Sequence, residues 1–196
     1  MGKTATKLDR DEVVSVAREL VMREGPTALT MRRLATELDV GTPTIYWHVG
    51  SRDELVAAVV DTQAERLAER PIEGRTARDR VLSAALHIYG GAVEERAITS
   101  LAHQTGTSGR LLACLEAALV AELEAAGLRG GELSNAVRSI LVVVTGSLVL
   151  TLRDYASRPD DRDGALWSGC DLEALTSDTL RAVVHRHVPP TTRSRS

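Results

Sequence analysis

The sequence predicts an all-α chain of about nine helices, and three observations carry that reading. Apolar residues recur at helical spacing: Val13, Val16, Ala17, Leu20 and Val21 form one stripe, and Leu55, Val56, Val59 and Val60 another. Starting and stopping signals bracket such stripes, as in Gly25-Pro26, Ser51-x-x-Glu54, Gly127-Leu128 and Pro189-Pro190. No alternating strand pattern, repeat or low-complexity tract competes.

Composition bounds the rest. With 196 residues, 43% of them hydrophobic, the chain has material for a real core. The net charge is −3, so overall electrostatics give no support for nucleic-acid binding. Any positive potential must be local, from Lys3, Lys7, Arg32, Arg33 and Arg52. Cys114 and Cys170 make no disulfide framework and read as small hydrophobes in a reducing compartment. The N-terminus is polar where a signal peptide needs an apolar segment. The most apolar run, Ile140 to Leu152, lies between Arg138 and Arg153 and is shorter than the roughly 20 residues of a spanning helix. The expectation is a soluble, cytoplasmic protein with no membrane partner.

Taken in order, Met1 to Lys7 is a polar arm that either touches phosphate through Lys3 and Lys7 or stays solvated. Leu8 to Glu24 is a helix with Asp9 and Glu12 at N-cap and N3 and with Leu8 and Val13 as its staple. Gly25-Pro26 ends it. Two short helices follow between Thr30 and Arg52. Met31, Leu34, Ala35 and Leu38 give the first a buried face, and Asp39-Val40-Gly41 makes the turn, with Gly41 expected to supply the backbone freedom. The second starts at Gly41 or Thr42, with Pro43 in its first turn.

Ser51 opens the next helix, which runs to about Glu69, and Pro71 to Thr76 connects to the body. Helices are then expected over Ala77–Glu95, Ala97–Gln104, Ser108–Ala126, with Gly127 as left-handed cap and Leu128 as its hydrophobic contact, and Glu132–Tyr155. Ser157 to Gly169 is a charged loop, and Asp171 caps a last helix to about His187.

The second short helix is unusual. The chain has 3% aromatic residues and no Phe, yet Tyr46 and Trp47 are adjacent on it. Neighbouring helix residues point about 100° apart, so both rings cannot be core while Ile45 and Val49 are. At least one ring faces out beside Thr42, Thr44 and His48. No acidic residue lies between Asp39 and Asp53. Such a face can offer hydrogen bonds to base edges and phosphates. It can equally be a helical corner whose exposed ring packs on a neighbouring domain.

The segment from about Leu8 to Val60 resembles the DNA-binding domain of the tetracycline-repressor (TetR) family, through LTMRRLATELDVGTPTIYWHVGSRDEL, Leu29 to Leu55. The run Pro-Thr-Ile-Tyr-Trp-His-Val is especially like the tetracycline repressors themselves. The resemblance implies a three-helix, helix-turn-helix DNA-binding domain over residues 1–51, a linking helix over about 51–69, and a ligand-binding and dimerisation domain over 70–196. It implies a homodimeric repressor that binds a palindromic double-stranded operator and is released by an unknown small-molecule effector. Tyr46, Lys7 and Arg52 would hold phosphates; Thr42, Pro43, Thr44, Trp47, His48 and Arg32 would meet bases or position the helix. The likeness fades past Val60, and no secure counterpart of the tetracycline–magnesium ligand set is visible.

Two stripes divide the helix Glu132–Tyr155. Val137, Leu141, Val144 and Leu148 make one stripe, which fits a central core helix as well as an interface; the resemblance implies that they form a four-helix dimer interface with Leu172, Leu175, Thr179 and Val183 of the last helix. Asn135, Arg138, Val142, Thr145 and Val149 suggest a pocket, in which Arg138 needs a carboxylate, an anionic ligand or a route to water. His87, His103, Gln104, Asn135, Arg138 and Thr145 are the candidate ligand contacts, although a lone histidine is more often structural. No phosphate loop, zinc spacing or catalytic triad is present, and His185 and His187 face different directions. Neither enzymatic activity, cofactor nor metal is expected. Two other classes stay open: a small-molecule-binding or scaffold protein whose head docks on protein, and a ligand-independent DNA-binding activator.

Overall fold

The computed structural model describes residues 8–156 and 170–190, except the side chains of residues 114, 115 and 153–156. The N-terminal arm with Lys3 and Lys7, the loop Ser157–Gly169, the last residues of the tail and the side chain of Cys114 lie outside the described residues. Among the described residues there are nine α-helices and a 3-10 turn, with no strand. These are α1 (Arg10–Glu24), the turn Pro26–Ala28, α2 (Met31–Glu37), α3 (Thr42–Val49), α4 (Arg52–Ala68), α5 (Ala77–Glu94), α6 (Arg96–Gln104), α7 (Ser108–Ala125), α8 (Gly130–Ala156) and α9 (Leu172–His187). The chain divides into two compact units, residues 1–64 with 97–110, and residues 65–96 with 111–196.

In the first unit, α1, α2 and α3 pack pairwise. Asp9 caps α1 by accepting from the Glu12 amide at 2.8 Å. Leu20, Leu29, Leu34, Ile45 and Leu55 are fully enclosed. Arg33 bonds Glu24 at 2.9 Å and Glu37 at 3.3 Å, and Arg23 reaches Glu37 at 2.7 Å, so α1 and α2 are joined by an ion-pair network. The two arginines hold the Glu24 carboxyl below its ordinary range. At such exposure these pairs contribute little stability. Their main consequence is electrostatic, because Arg33 is neutralised within the head. The expectation that it adds to the local positive potential is corrected accordingly.

The second unit is built around α5, which packs on α8 and α9. Thr76 and Asp79 form a reciprocal capping box at its start. Arg78 donates to the carbonyls of Val188 at 2.7 Å and His185 at 3.2 Å, satisfying acceptors left open by the end of α9. Arg80 makes a two-point bond to Glu122 of α7, at 2.7 and 2.6 Å. Tyr89 and Thr151 share a buried hydroxyl contact at 3.3 Å. After α7, the Leu128 amide bonds Leu123 and the Gly127 amide bonds Glu124, with Gly127 at φ 94° and Leu128 buried.

Helix α8 departs from its expected stripes. Val137 and Val144 are enclosed in the unit's own core, whereas Val142 is 72% and Val149 47% exposed. Periodicity separates the stripes but does not say which one the neighbouring helices cover; α5 and α9 cover the first. Val137 and Val144 are therefore withdrawn from any outward interface. Leu141, Leu148, Leu172 and Val183 are half-buried, and Leu175 and Thr179 exposed. The apolar stretch is also longer than expected. Gly130–Leu152, 23 residues with mean hydropathy 1.7, meets the length and composition of a membrane span. The reason is that Arg138 interrupts the run without ending it. Here Ala136, Val137, Ile140 and Val144 are buried in protein, although only 22% of the stretch as a whole is. Cys170 is exposed just before α9 and does not act as a core hydrophobe.

Candidate nucleic-acid interface

The reader is assembled by two helix caps. Thr30 opens α2 by accepting from the Arg33 amide at 3.1 Å. At the other end the Val40 amide bonds the Ala35 carbonyl at 3.0 Å, and the Asp39 amide bonds that of Thr36 at 3.3 Å. This is a Schellman closure, and its left-handed residue is Asp39, at φ 54°. The turn therefore does not depend on Gly41, which sits at φ −73° as the N-cap of α3. Aspartate tolerates the left-handed region better than most side chains, so it serves here in place of glycine.

Helix α3 has Pro43 in its first turn and no side-chain cap. Ile45 (0% exposed) and Val49 (4%) anchor it. With those two buried, the 100° step turns the neighbouring residues outward: Trp47 is 79% and Tyr46 51% exposed. Pro43 and Thr44 are exposed, while Thr42 and His48 are half-buried. The Trp47 and His48 rings meet edge-on, with centroids 4.7 Å apart and planes at 85°. The contact fixes the indole's lean without covering it.

Gly50 ends α3 at φ 73°, and its amide bonds the Tyr46 carbonyl. A Cβ there would lie 2.1 Å from Glu54 Oε2. Glu54 needs that position: its carboxylate accepts from the Ser51 amide at 2.6 Å, and its own amide donates to Ser51 Oγ at 3.1 Å. These bonds hold the Glu54 carboxyl below its ordinary range. The Arg52 Nε donates to the Leu29 carbonyl at 3.2 Å, tying the start of α4 to the loop before α2. Arg32 is exposed and makes no ion pair among the described residues. The candidate residues Arg32, Thr42, Pro43, Thr44, Tyr46, Trp47, His48 and Arg52 thus all fall on α2, α3 and the start of α4; Lys7 lies outside the described residues.

The ligand candidates disperse. His103 and Gln104 are exposed at the end of α6, where Gln104 bonds Ser100 at 3.0 Å. Asn135 and Arg138 are exposed on α8, where water reaches Arg138, and Thr145 is half-buried. Only His87 of these six lines the cavity of about 340 Å³ in the second unit. The other lining residues, among them Leu67, Arg70, Ile88 and Ala117, were not singled out from sequence. They come from α4, α5, α7 and the connector after α4, and show no shared motif.

Comparison with known proteins places this geometry. Residues 13–59 match the family model of bacterial regulatory proteins, tetR family. An HTH-type transcriptional regulator of Saccharopolyspora erythraea is 26% identical over 75% of this chain and 62% of its own length. The Escherichia coli tetracycline repressor protein class E is 37% identical over 34% of each chain. The chain thus spans under two thirds of these curated relatives. The crystal structure of BioQ with its double-stranded DNA operator covers 90% of this chain and 99% of its own, at 26% identity and TM-score 0.63. The exposed reading helix, the family model over it and the shared helical body agree: residues 13–59 belong to the tetR family of bacterial regulatory proteins, and the chain is similar to helix-turn-helix transcriptional regulators.

Proposed function

We propose that the chain is a cytoplasmic, homodimeric repressor that binds a palindromic operator and is released by a small molecule. Residues 1–51 read DNA, the helix over about 51–69 links, and residues 70–196 bind ligand and dimerise. The observation that carries the reading is Trp47, 79% exposed on a two-turn helix whose own anchors are buried. Thr42, Pro43, Thr44, Trp47, His48 and Arg32 meet bases or position the helix, while Tyr46, Lys7 and Arg52 hold phosphates. The start of α3, which no side chain caps, adds a favourable dipole for phosphate.

The dimer is supported by apolar surface on α8 and α9, namely Val142, Val149 and Leu175, continued by the half-buried Leu141, Leu148, Leu172 and Val183. Two-fold symmetry would set the readers about 34–36 Å apart, or a multiple of that. A ligand releases DNA by binding better to a conformer whose readers no longer match that spacing.

A gel shift on the DNA flanking the gene, with Tyr46→Ala and Trp47→Ala, tests this. Both variants should lose binding, and undiminished binding by both would remove the reader from α3. A salt titration separates DNA reading from docking on protein. Phosphate contacts release counterions and give a slope of about −0.9 per phosphate neutralised.

A further inference from the structure

We propose that the cavity of the second unit binds a compact hydrophobic molecule with one hydrogen-bond-accepting head, held by Arg70 and His87. This names the class of effector and rests on the reading of the chain as a ligand-responsive regulator. The cavity, about 340 Å³, lies within the size range of small-molecule sites. Its walls are mostly aliphatic, with Leu67, Ile72, Ala84 and Ile88 among them, and its polar side chains are Arg70 and His87.

Both polar groups favour an acceptor. A guanidinium offers N–H donors and no acceptor. One nitrogen of Arg70, Nη2, is committed to Glu94, whose side chain is 61% exposed and lies outside the lining. The His87 Nδ1 is buried with no hydrogen-bond partner. Burial without a partner disfavours a polar atom, so a ligand that supplies one gains from it. A neutral imidazole places its proton on either nitrogen, and with the proton on Nδ1 the ring donates beside Arg70. No carboxylate lines the cavity to receive an ammonium head.

Gly91 keeps this end of the site in shape. A Cβ on Gly91 would lie 2.2 Å from Leu67 Cδ2 and 3.3 Å from Arg70 Cζ. Both neighbours line the cavity, so a methyl group here presses on the apolar wall and on the head-group donor together.

Calorimetric titration of the full chain with three matched probes tests the proposal: 4-phenylbutyrate, 4-phenylbutan-2-one and 4-phenylbutylamine. The acid and the ketone should saturate, each at least about tenfold tighter than the amine. Arg70→Met and Gly91→Ala should each weaken the acid about fivefold or more. His87→Phe should abolish the preference for acceptor heads and raise the melting temperature of the free protein, because it removes an unpartnered buried nitrogen. The amine binding as tightly as the acid, no saturable binding by any probe, or binding indifferent to Arg70 and His87 would each overturn the assignment. A gel shift on the same preparation keeps the two readings apart. DNA bound without any probe sinks only the effector class; probes bound without DNA sink the regulator reading instead.

Discussion

Replacing Gly50 by alanine should uncouple the reading helix from α4, and the structure gives the size of the effect. Gly50 holds φ 73° and ψ −117°, a combination strained for any residue with a Cβ. Such strain costs about 1–3 kcal/mol. The new Cβ would also sit 2.1 Å from Glu54 Oε2 and 2.9 Å from its Cδ. Glu54 must then swing away and give up the Ser51 amide, and losing such a cap costs about 0.5–2 kcal/mol. The expected total is about 1.5–5 kcal/mol, a large part of the roughly 5–15 kcal/mol that holds a domain folded. Urea unfolding of Gly50→Ala, Glu54→Ala and the double variant measures it. Glu54→Ala alone should lose only the cap. The double variant should fall short of the sum, since the alanine then has no carboxylate to collide with. A loss under about 1 kcal/mol for Gly50→Ala would refute both the clash and the strain, and full additivity would refute the clash.

Other outcomes follow from the same structure. Arg80→Met should destabilise by about 1–3 kcal/mol, because it leaves the nearly enclosed Glu122 carboxylate without its two-point partner; adding Glu122→Leu should recover much of that in the same unfolding assay. Glu54 and Asp79 are both held below the ordinary carboxylate range by their caps, on Ser51 and Thr76 respectively. Their contribution is therefore complete above the unfolded pKa of about 4 and is lost as pH falls through the lower folded values. Urea midpoints should drop below about pH 4, and Ser51→Ala with Thr76→Ala should flatten that limb. Val142→Glu should leave the melting temperature of the subunit nearly unchanged, since the residue is 72% exposed, yet shift sedimentation toward monomer.

What was legible in the sequence is mostly local. Caps announce themselves through one or two residues, and Asp9, Ser51 with Glu54, Gly127 with Leu128 and Asp171 all sit where their helices begin or end. The outward rings of α3 were also readable, because two buried anchors on so short a helix fix where every other residue points. The turn before α3 misled for a physical reason: glycine is the usual left-handed residue, but the closure needs only a residue that tolerates φ 54°, and Asp39 supplies it. Helix α8 misled because periodicity is blind to which neighbour covers which stripe. Arg33 looked like a free cation until α1 brought Glu24 within 2.9 Å. The cavity was hidden for the same reason, since Leu67, His87 and Ala117 share no spacing and meet only through tertiary packing.

The central claim is that the exposed indole of Trp47 meets DNA, and its own fluorescence tests this. The chain has two tryptophans, so Trp167→Phe leaves Trp47 as the sole emitter. Acrylamide should quench it freely in the unbound protein, given its 79% exposure, and much less once a flanking operator fragment is added. DNA binding that leaves Trp47 as open to acrylamide as before would contradict the account.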